Sequence, residues 1–227
     1  MNIEDIGQVT AYLQNLQDKY HPNTYRKIYF QIRRFLQSQN LTYLDKVKLP
    51  RIIHSQVKQV TGQDVKQAIA HFSNSRNYLR YRAFIELAYA SGLRPSELVQ
   101  LTPAEIDLEN RIVYVRNDLQ FHTKTNKARV SFFDKRTQSI LRLYLKKNKH
   151  RKLWNASSIA RSWKGIAIHP KDLRKGFSQR ASDLNLNSEY KARIMGHALN
   201  GVDNQHYLGE VSIEKLHKAY DDAFGGK

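Results

Sequence analysis

The chain has 227 residues, no cysteine and a formal net charge of +18 at pH 7. This length predicts one or two domains, and the lack of cysteine excludes disulfides and thiolate metal sites. No apolar run approaches the roughly 20 residues that span a bilayer, and the acidic opening Met1–Asp5 lacks the layout of a signal peptide. We therefore expect a soluble, cytoplasmic protein with no membrane partner.

The positive charge is concentrated in one third of the chain. Residues 111–180 hold 19 Lys and Arg residues against three acidic residues, whereas the segments before and after are close to neutral. A solvated charged face normally mixes both signs. The block therefore predicts a surface for a polyanion, rather than charge for solubility alone or for a membrane surface.

The amino-terminal region predicts two amphipathic helices. Apolar residues recur at spacings of three and four from Ile3 to Leu16 and again from Tyr25 to Leu36, with a break at Pro22-Asn23. The stretch 42–53 has weak periodicity and suits a linker. We therefore place a small helical domain at residues 1–54 and a second domain at residues 55–227.

The second region predicts helices and one small sheet. Thr61 and Asp64 resemble a capping box, and a longer helix ends at Ser91-Gly92. Two β-rich runs, 111–115 and 128–133, flank a polar loop and predict a hairpin. The fold class is therefore mainly α with a small antiparallel β-sheet. Other helices are expected to begin near Asp134, Ser157, Pro170, Ser188 and Ser212.

Two segments carry basic side chains that suit chemistry on an anion. Arg94 lies at a tight turn before a helix that Pro95 can begin, and Glu97 is within reach of its guanidinium. Lys124 lies in the basic loop between the predicted strands, where a flexible lysine can contact a phosphate or donate a proton. A helix corner and a solvated hairpin tip are the ordinary interpretations of these two segments.

Two later segments add further candidates. Lys171 and Arg174 share one helical face near a helix start, an arrangement that suits an anion. Gly196 before His197 allows a sharp helix exit, and Tyr207 follows ten residues later. An exposed basic helix face and two packing residues are the ordinary alternatives.

Taken in order, these segments resemble the tyrosine recombinase (phage integrase) family, including its Xer-like and archaeal viral members. The resemblance covers roughly residues 55–220 and fits the amino-terminal helices only loosely. Residues 92–98, with the sequence GLRPSEL, resemble the family's Gly-Leu-Arg-x-x-Glu-Leu motif, and Met195-Gly196-His197 resembles its Leu-Gly-His motif. Lys171 stands where the family's His-x-x-Arg motif has histidine, and His169 lies two residues too early.

The resemblance implies a set of catalytic residues and a reaction. The family's nucleophile corresponds to Tyr207, and its hairpin lysine corresponds to Lys124, with Lys127 as a close rival. The reaction would be site-specific cleavage and rejoining of DNA through a covalent 3′-phosphotyrosine, without a metal or another cofactor. The implied catalytic set is Arg94, Lys124, Lys171, Arg174, His197 and Tyr207.

The resemblance also implies partners and domain roles. Residues 1–54 would be a core-DNA-binding domain that clamps double-stranded DNA with the catalytic domain, 55–227, and the enzyme would form a homotetramer on two synapsed sites. The last helix, from Val211 to Tyr220, could pack on its own domain or on a neighbouring subunit. Two other functions stay open: a basic DNA-binding protein without catalysis, and an enzyme resembling type IB topoisomerases.

Overall fold

The computed structural model describes residues 2–53, 58–148, 152–197 and 211–225. The chain divides into two compact units, Met1–Lys58 and Gln59–Lys227, each with its own apolar core. The boundary predicted after residue 54 falls among residues outside the described ranges. Among the described helices, none combines the length and the apolar character that a bilayer span requires.

The first unit is a pair of helices followed by a short 3₁₀ turn. Helix α1 spans Ile6–Lys19, helix α2 spans Pro22–Ser38, and the turn spans Tyr43–Lys46. Pro22 occupies the first turn of α2, where its missing N–H costs nothing, so it starts a helix. The buried residues of this unit are Val9, Leu13, Leu16, Tyr25, Tyr29, Leu36 and Leu44.

The second unit contains a three-stranded antiparallel sheet in the order β1-β2-β3. Its strands are β1, Ile106–Asp107, β2, Ile112–Val115, and β3, Arg129–Phe132. Val115 pairs with Arg129, so the loop 116–128 joins β2 to β3 as predicted. Strand β1 was not expected because two residues are too few to show a periodicity of two.

The rest of this unit is mainly helical, and most of its helices begin close to the predicted positions. Side chains of Thr61, Asp134 and Ser212 cap three of them, because each accepts a hydrogen bond from an N–H of the first turn. The helices are α3, Gly62–His71, α4, Tyr78–Ser91, α5, Pro95–Leu98, α6, Lys135–Lys147, α7, Ala156–Ser162, α8, Pro170–Asp183, α9, Ser188–Met195, and α10, Ile213–Phe224. The expected class, mainly α with a small antiparallel sheet, is confirmed.

Helix α4 is the centre of the second unit. Small and apolar residues lie on all its faces, so it is buried almost all round and packs against α3, α6 and α8. Its carboxyl end, at Ser91, therefore lies inside the unit. This burial brings the turn that follows α4 close to β3 and α8.

Helix α10 packs on its own unit. The Tyr220 hydroxyl donates to the Ala90 carbonyl oxygen at 2.9 Å, and the Arg111 guanidinium forms a two-point ion pair with Asp221. Leu216 and Phe224 are buried in the same cluster as β3 and α8. In this structure the last helix thus completes the core of its own domain, which was one of the two arrangements that the sequence left open.

Candidate active site

The candidate site lies where two helices end. Helix α4 ends at Gly92 with φ +63° and α9 ends at Gly196 with φ +67°, both in the left-handed region that favours glycine. Helix ends leave the carbonyl oxygens of the last turn without partners in the helix. At the end of α9, Arg174 and Arg129 supply such partners. At the end of α4, Arg174 shares this role with Tyr220 and Ser131.

Arg174, on α8, joins the two helix ends. Its Nη1 donates to the Gly92 carbonyl oxygen at 2.7 Å, and its Nη2 donates to the Met195 carbonyl oxygen at 2.8 Å. Burial and the charge of Arg94 lower the pKa of Arg174 to about 10. The guanidinium therefore remains charged at neutral pH, in surroundings that would favour an added anion.

Arg94 is the N-cap residue of α5 and is held by Glu97. Its Nη1 donates to Glu97 Oε1 at 3.0 Å, and its backbone N–H donates to Glu97 Oε2 at 2.7 Å. Its Nη2 lies 3.4 Å from the Gly196 carbonyl oxygen, at the end of α9. Glu97 is fully buried, so its carboxylate holds the Arg94 guanidinium from the interior of the protein.

Arg129, the first residue of β3, also belongs to the site. It forms a two-point ion pair with Glu97, at 3.1 and 2.7 Å, and its Nε donates to the Ile194 carbonyl oxygen at 3.0 Å. Burial alone would raise the pKa of Glu97, but the hydrogen bonds from Arg129 and Arg94 outweigh it, and the pKa is lowered. Sequence reasoning missed Arg129, although an arginine among the apolar residues of a predicted strand was a signal.

His197 follows the glycine that ends α9. Its backbone N–H donates to the Ala192 carbonyl oxygen at 2.9 Å, which completes the helix end, and the residue itself is exposed. Partial desolvation and the positive charges of Arg174 and Arg94 lower the pKa of its imidazole. At neutral pH the imidazole is therefore uncharged, with one nitrogen able to donate and the other able to accept.

The assembled site has more positive than negative charge. Among the described residues, Arg94 and Arg129 pair with the Glu97 carboxylate, and Arg174 lies close enough to be influenced by its charge and by the two other guanidiniums. Fixed arginine donors suit a phosphate group and the charge that develops on it during transfer. Within the part of the chain that the structure describes, no cluster of three His, Asp or Glu side chains could hold a metal ion.

The structure describes the position of every other predicted residue except Tyr207. Lys124 is exposed on the loop between β2 and β3, and Lys171 is exposed on the first turn of α8. His169 serves as the N-cap residue of α8, where its N–H donates to Asp172 at 3.0 Å. The structure thus brings together Arg94, Arg174 and His197, while Tyr207 lies outside the described residues.

Comparisons with known proteins agree on one family. Residues 58–209 match the phage integrase family. Tyrosine recombinase XerA of Saccharolobus solfataricus is 27% identical over 183 residues, which are 77% of this chain and 59% of that relative. Tyrosine recombinase XerC of Lactobacillus delbrueckii subsp. bulgaricus is 35% identical over 101 residues, which are 44% of this chain and 30% of that relative. The chain thus spans less than two thirds of the length of each of these two relatives.

Solved structures show the same fold. The Tn1549 transposon integrase, in complex with circular intermediate DNA, superposes with a TM-score of 0.67 at 15% identity, over 96% of this chain and 86% of that one. A lambda integrase tetramer bound to a Holliday junction gives a TM-score of 0.66 at 14% identity, over 93% of this chain and 69% of that one.

Proposed function

The chain belongs to the phage integrase family, and on this basis we propose that it is a tyrosine-type site-specific DNA recombinase. It would cleave and rejoin DNA strands through a covalent 3′-phosphotyrosine. The observation that supports this most directly is the cluster of Arg94, Arg129 and Arg174 around Glu97, beside an exposed neutral His197. Fixed guanidiniums of this kind suit the charge of a phosphate.

Tyr207 is the proposed nucleophile. A tyrosine hydroxyl with an ordinary pKa near 10 is a weak nucleophile, and neighbouring cations favour its phenolate as it attacks. The bond between Tyr207 Oη and phosphorus forms while the bond from phosphorus to the 5′ oxygen breaks. The 3′ phosphate thus stays on the enzyme until a DNA hydroxyl reverses the step.

The arginines and the lysine have complementary roles in this step. Arg94 and Arg174 donate to the two non-bridging oxygens, where negative charge builds as phosphorus becomes pentacoordinate. Lys124, or its rival Lys127, gives a proton to the leaving 5′ oxygen. The ammonium thereby becomes an amine, and the free 5′ hydroxyl of the cleaved strand carries the proton.

His197 and Lys171 assist at the same phosphate. The neutral imidazole of His197 can donate to a non-bridging oxygen or accept the proton of Tyr207. Lys171 lies one helical turn before Arg174 on α8, so its ammonium would contact a phosphate on the same face. We assign Lys171 to binding phosphate, since an ammonium is a poor substitute for the imidazole that the family motif has there.

We further propose double-stranded DNA as the partner and the cytoplasm as the location. The excess of positive charge in residues 111–180 supports a DNA-binding surface on the catalytic domain. By analogy with the lambda integrase tetramer, the active assembly would be a homotetramer on two DNA sites. The first unit would then be the core-DNA-binding domain.

A nicked duplex that traps the covalent intermediate tests the nucleophile. The wild-type protein should become attached to labelled DNA through a peptide that contains Tyr207, and Tyr207→Phe should form no adduct while it still binds DNA. Tyr114→Phe, which changes an exposed tyrosine on β2, is the matched control and should react normally.

The same assay separates the alternatives. A covalent adduct formed by Tyr207→Phe would refute the assignment of the nucleophile. A wild-type protein that binds DNA but forms no adduct would support a DNA-binding protein without catalysis. Relaxation of any supercoiled DNA, with no strand exchange at a specific site, would support an enzyme resembling type IB topoisomerases.

A further inference from the structure

The side chain of Gln100 holds the loop that carries Lys124. Its Oε1 accepts a hydrogen bond from the His122 N–H at 2.8 Å, and its Nε2 donates to the His122 carbonyl oxygen at 3.1 Å. One amide therefore satisfies both backbone groups of a loop residue, as a neighbouring β-strand would. His122 lies only two residues before Lys124.

The same amide is fixed to the segment that carries Arg94. Gln100 Nε2 also donates to the Ser96 carbonyl oxygen at 2.6 Å, and Ser96 belongs to α5, of which Arg94 is the N-cap residue. Gln100 thus connects the backbone of the lysine loop to the helix of the first arginine. An uncharged side chain therefore joins these two segments directly.

Further contacts fix the loop on either side of Lys124. Phe121 is buried in the main core, and the Asp118 carboxylate accepts hydrogen bonds from the N–H groups of Gln120 and Phe121 at 2.8 and 2.9 Å. The buried Thr123 hydroxyl accepts from the Lys127 N–H at 3.1 Å. The backbone around Lys124 is therefore tied down, while the lysine residue itself is exposed.

We propose that Gln100 is a positioning residue for proton transfer to the leaving 5′ oxygen. It would hold the backbone of the Lys124 loop close to the phosphate that Arg94 binds. Only the lysine side chain would then have to become ordered on binding. This inference rests on the proposed function. A positioned general acid contributes about 10²–10⁴ in rate, and a displacement of about 1 Å can remove about 10². Loss of the clamp should therefore slow cleavage by about 10–100-fold.

The test combines Gln100→Glu with two leaving groups. The change keeps the shape of the side chain but replaces Nε2 by an oxygen, which repels the Ser96 and His122 carbonyls. Adduct formation is followed in single turnovers on a nicked duplex, with either the ordinary phosphodiester or a 5′-bridging sulfur at the cleaved bond. A thiol has a pKa near 8.5, so a thiolate can leave without a proton, and a defect in proton donation disappears on this substrate.

We expect Gln100→Glu to be slow on the oxygen substrate, near wild type on the sulfur substrate and unchanged in its Kd for DNA. Lys124→Ala should show the same pattern with a larger defect. Gln138→Glu is the matched control, because the Gln138 amide also donates to a backbone carbonyl, that of Leu108 at 2.6 Å, away from the lysine loop. It should match the wild type on both substrates.

Two results would overturn the role of Gln100: wild-type rates for Gln100→Glu on the oxygen substrate, or an equal defect on both substrates. With the wild type and Lys124→Ala behaving as expected, either result removes only this inference. The absence of any wild-type adduct on both substrates would instead overturn the proposed function.

Discussion

At the scale of single residues, the ion pair of Glu97 and Arg129 supports the whole site. The Glu97 side chain is fully buried and the Arg129 side chain is 8% exposed, so neither charge is well hydrated. Glu97 also holds Arg94, and Arg129 also holds the last turn of α9. One buried carboxylate therefore sets the position of two guanidiniums.

This arrangement predicts a large loss of stability for Arg129→Met. The change leaves the buried Glu97 carboxylate with Arg94 as its remaining guanidinium partner. Breaking a buried pair typically costs about 3–5 kcal/mol, and we expect a loss of up to this size. Urea unfolding should show this loss as a lower free energy of unfolding for Arg129→Met. The matched control is Arg142→Met, since the pair of Arg142 with Glu109 is exposed and pairs of that kind contribute little. Equal effects of the two changes would contradict a structural role for the buried pair.

The imidazole of His197 gives a second prediction at this scale. Its pKa should lie below the ordinary value of about 6.5, because partial desolvation and the nearby guanidiniums disfavour the imidazolium. Arg94→Gln removes one of these charges and should raise the pKa. An NMR titration measures this pKa in the wild type and in Arg94→Gln, and His197→Gln identifies the resonance. A pKa that Arg94→Gln leaves unchanged would mean that the two groups do not interact.

The lowered pKa also fixes the direction of a stability effect. In the unfolded chain the His197 imidazole is protonated as the pH falls through about 6.5. In the folded protein it is protonated only at a lower pH. His197 therefore lowers the free energy of unfolding as the pH falls through this value towards the folded pKa. In the variant His197→Gln, the free energy of unfolding should therefore fall less as the pH is lowered through this range.

At the scale of elements, the two glycine-ended helices bring the arginines to one point. An L-residue at Gly92 would adopt a left-handed conformation, and its Cβ would lie 2.3 Å from a ring carbon of Phe177. Gly196 has the same constraint against the Arg129 side chain, at 2.8 Å. The glycines of the two sequence motifs are thus required by close packing as well as by the backbone.

Gly92→Ala should therefore destabilise the second unit. The left-handed conformation costs about 1 kcal/mol for a residue with a Cβ, and overpacking against Phe177 adds about 1–3 kcal/mol. Gly62→Ala is the matched control, because a Cβ at Gly62 meets nothing within 4 Å. Chemical unfolding should separate the two variants, and similar stabilities would show that the turn after α4 relaxes freely.

At the scale of the whole molecule, the distribution of charge bears on the proposed binding of DNA. The chain carries +18, and residues 111–180 account for most of it. Each phosphate contact made by a lysine or arginine releases counterions, so the logarithm of the binding constant falls with the logarithm of the salt concentration by about 0.9 per contact.

This relation tests the role proposed for Lys171. If Lys171 contacts a phosphate, Lys171→Gln should reduce the salt slope of DNA binding by about 1. Lys66→Gln, an exposed lysine on α3 outside the basic block, should leave the slope unchanged. Titrations at several salt concentrations supply the slopes, and an unchanged slope for Lys171→Gln would remove this lysine from the phosphate-binding set.

The sequence by itself determined the features that depend on neighbouring residues. Capping by Thr61 and Asp134, the glycine ends of α4 and α9 and the hairpin of β2 and β3 all follow from local hydrogen bonds and from periodicity. The motifs around Arg94 and His197 were visible for the same reason. The catalytic roles of the whole predicted set stay predictions: Arg94, Lys124, Lys171, Arg174, His197 and Tyr207.

Only the tertiary structure decided which distant residues share the site. Arg129 lies 32 positions from Glu97, Gln100 lies 22 positions from His122, and Tyr220 lies 130 positions from the Ala90 carbonyl that it binds. No local pattern encodes these pairs, because they depend on how α4, α8, α9 and β3 pack together. The family motifs pointed to the arginines that would contact the phosphate, and the fold added the side chains that hold them in place.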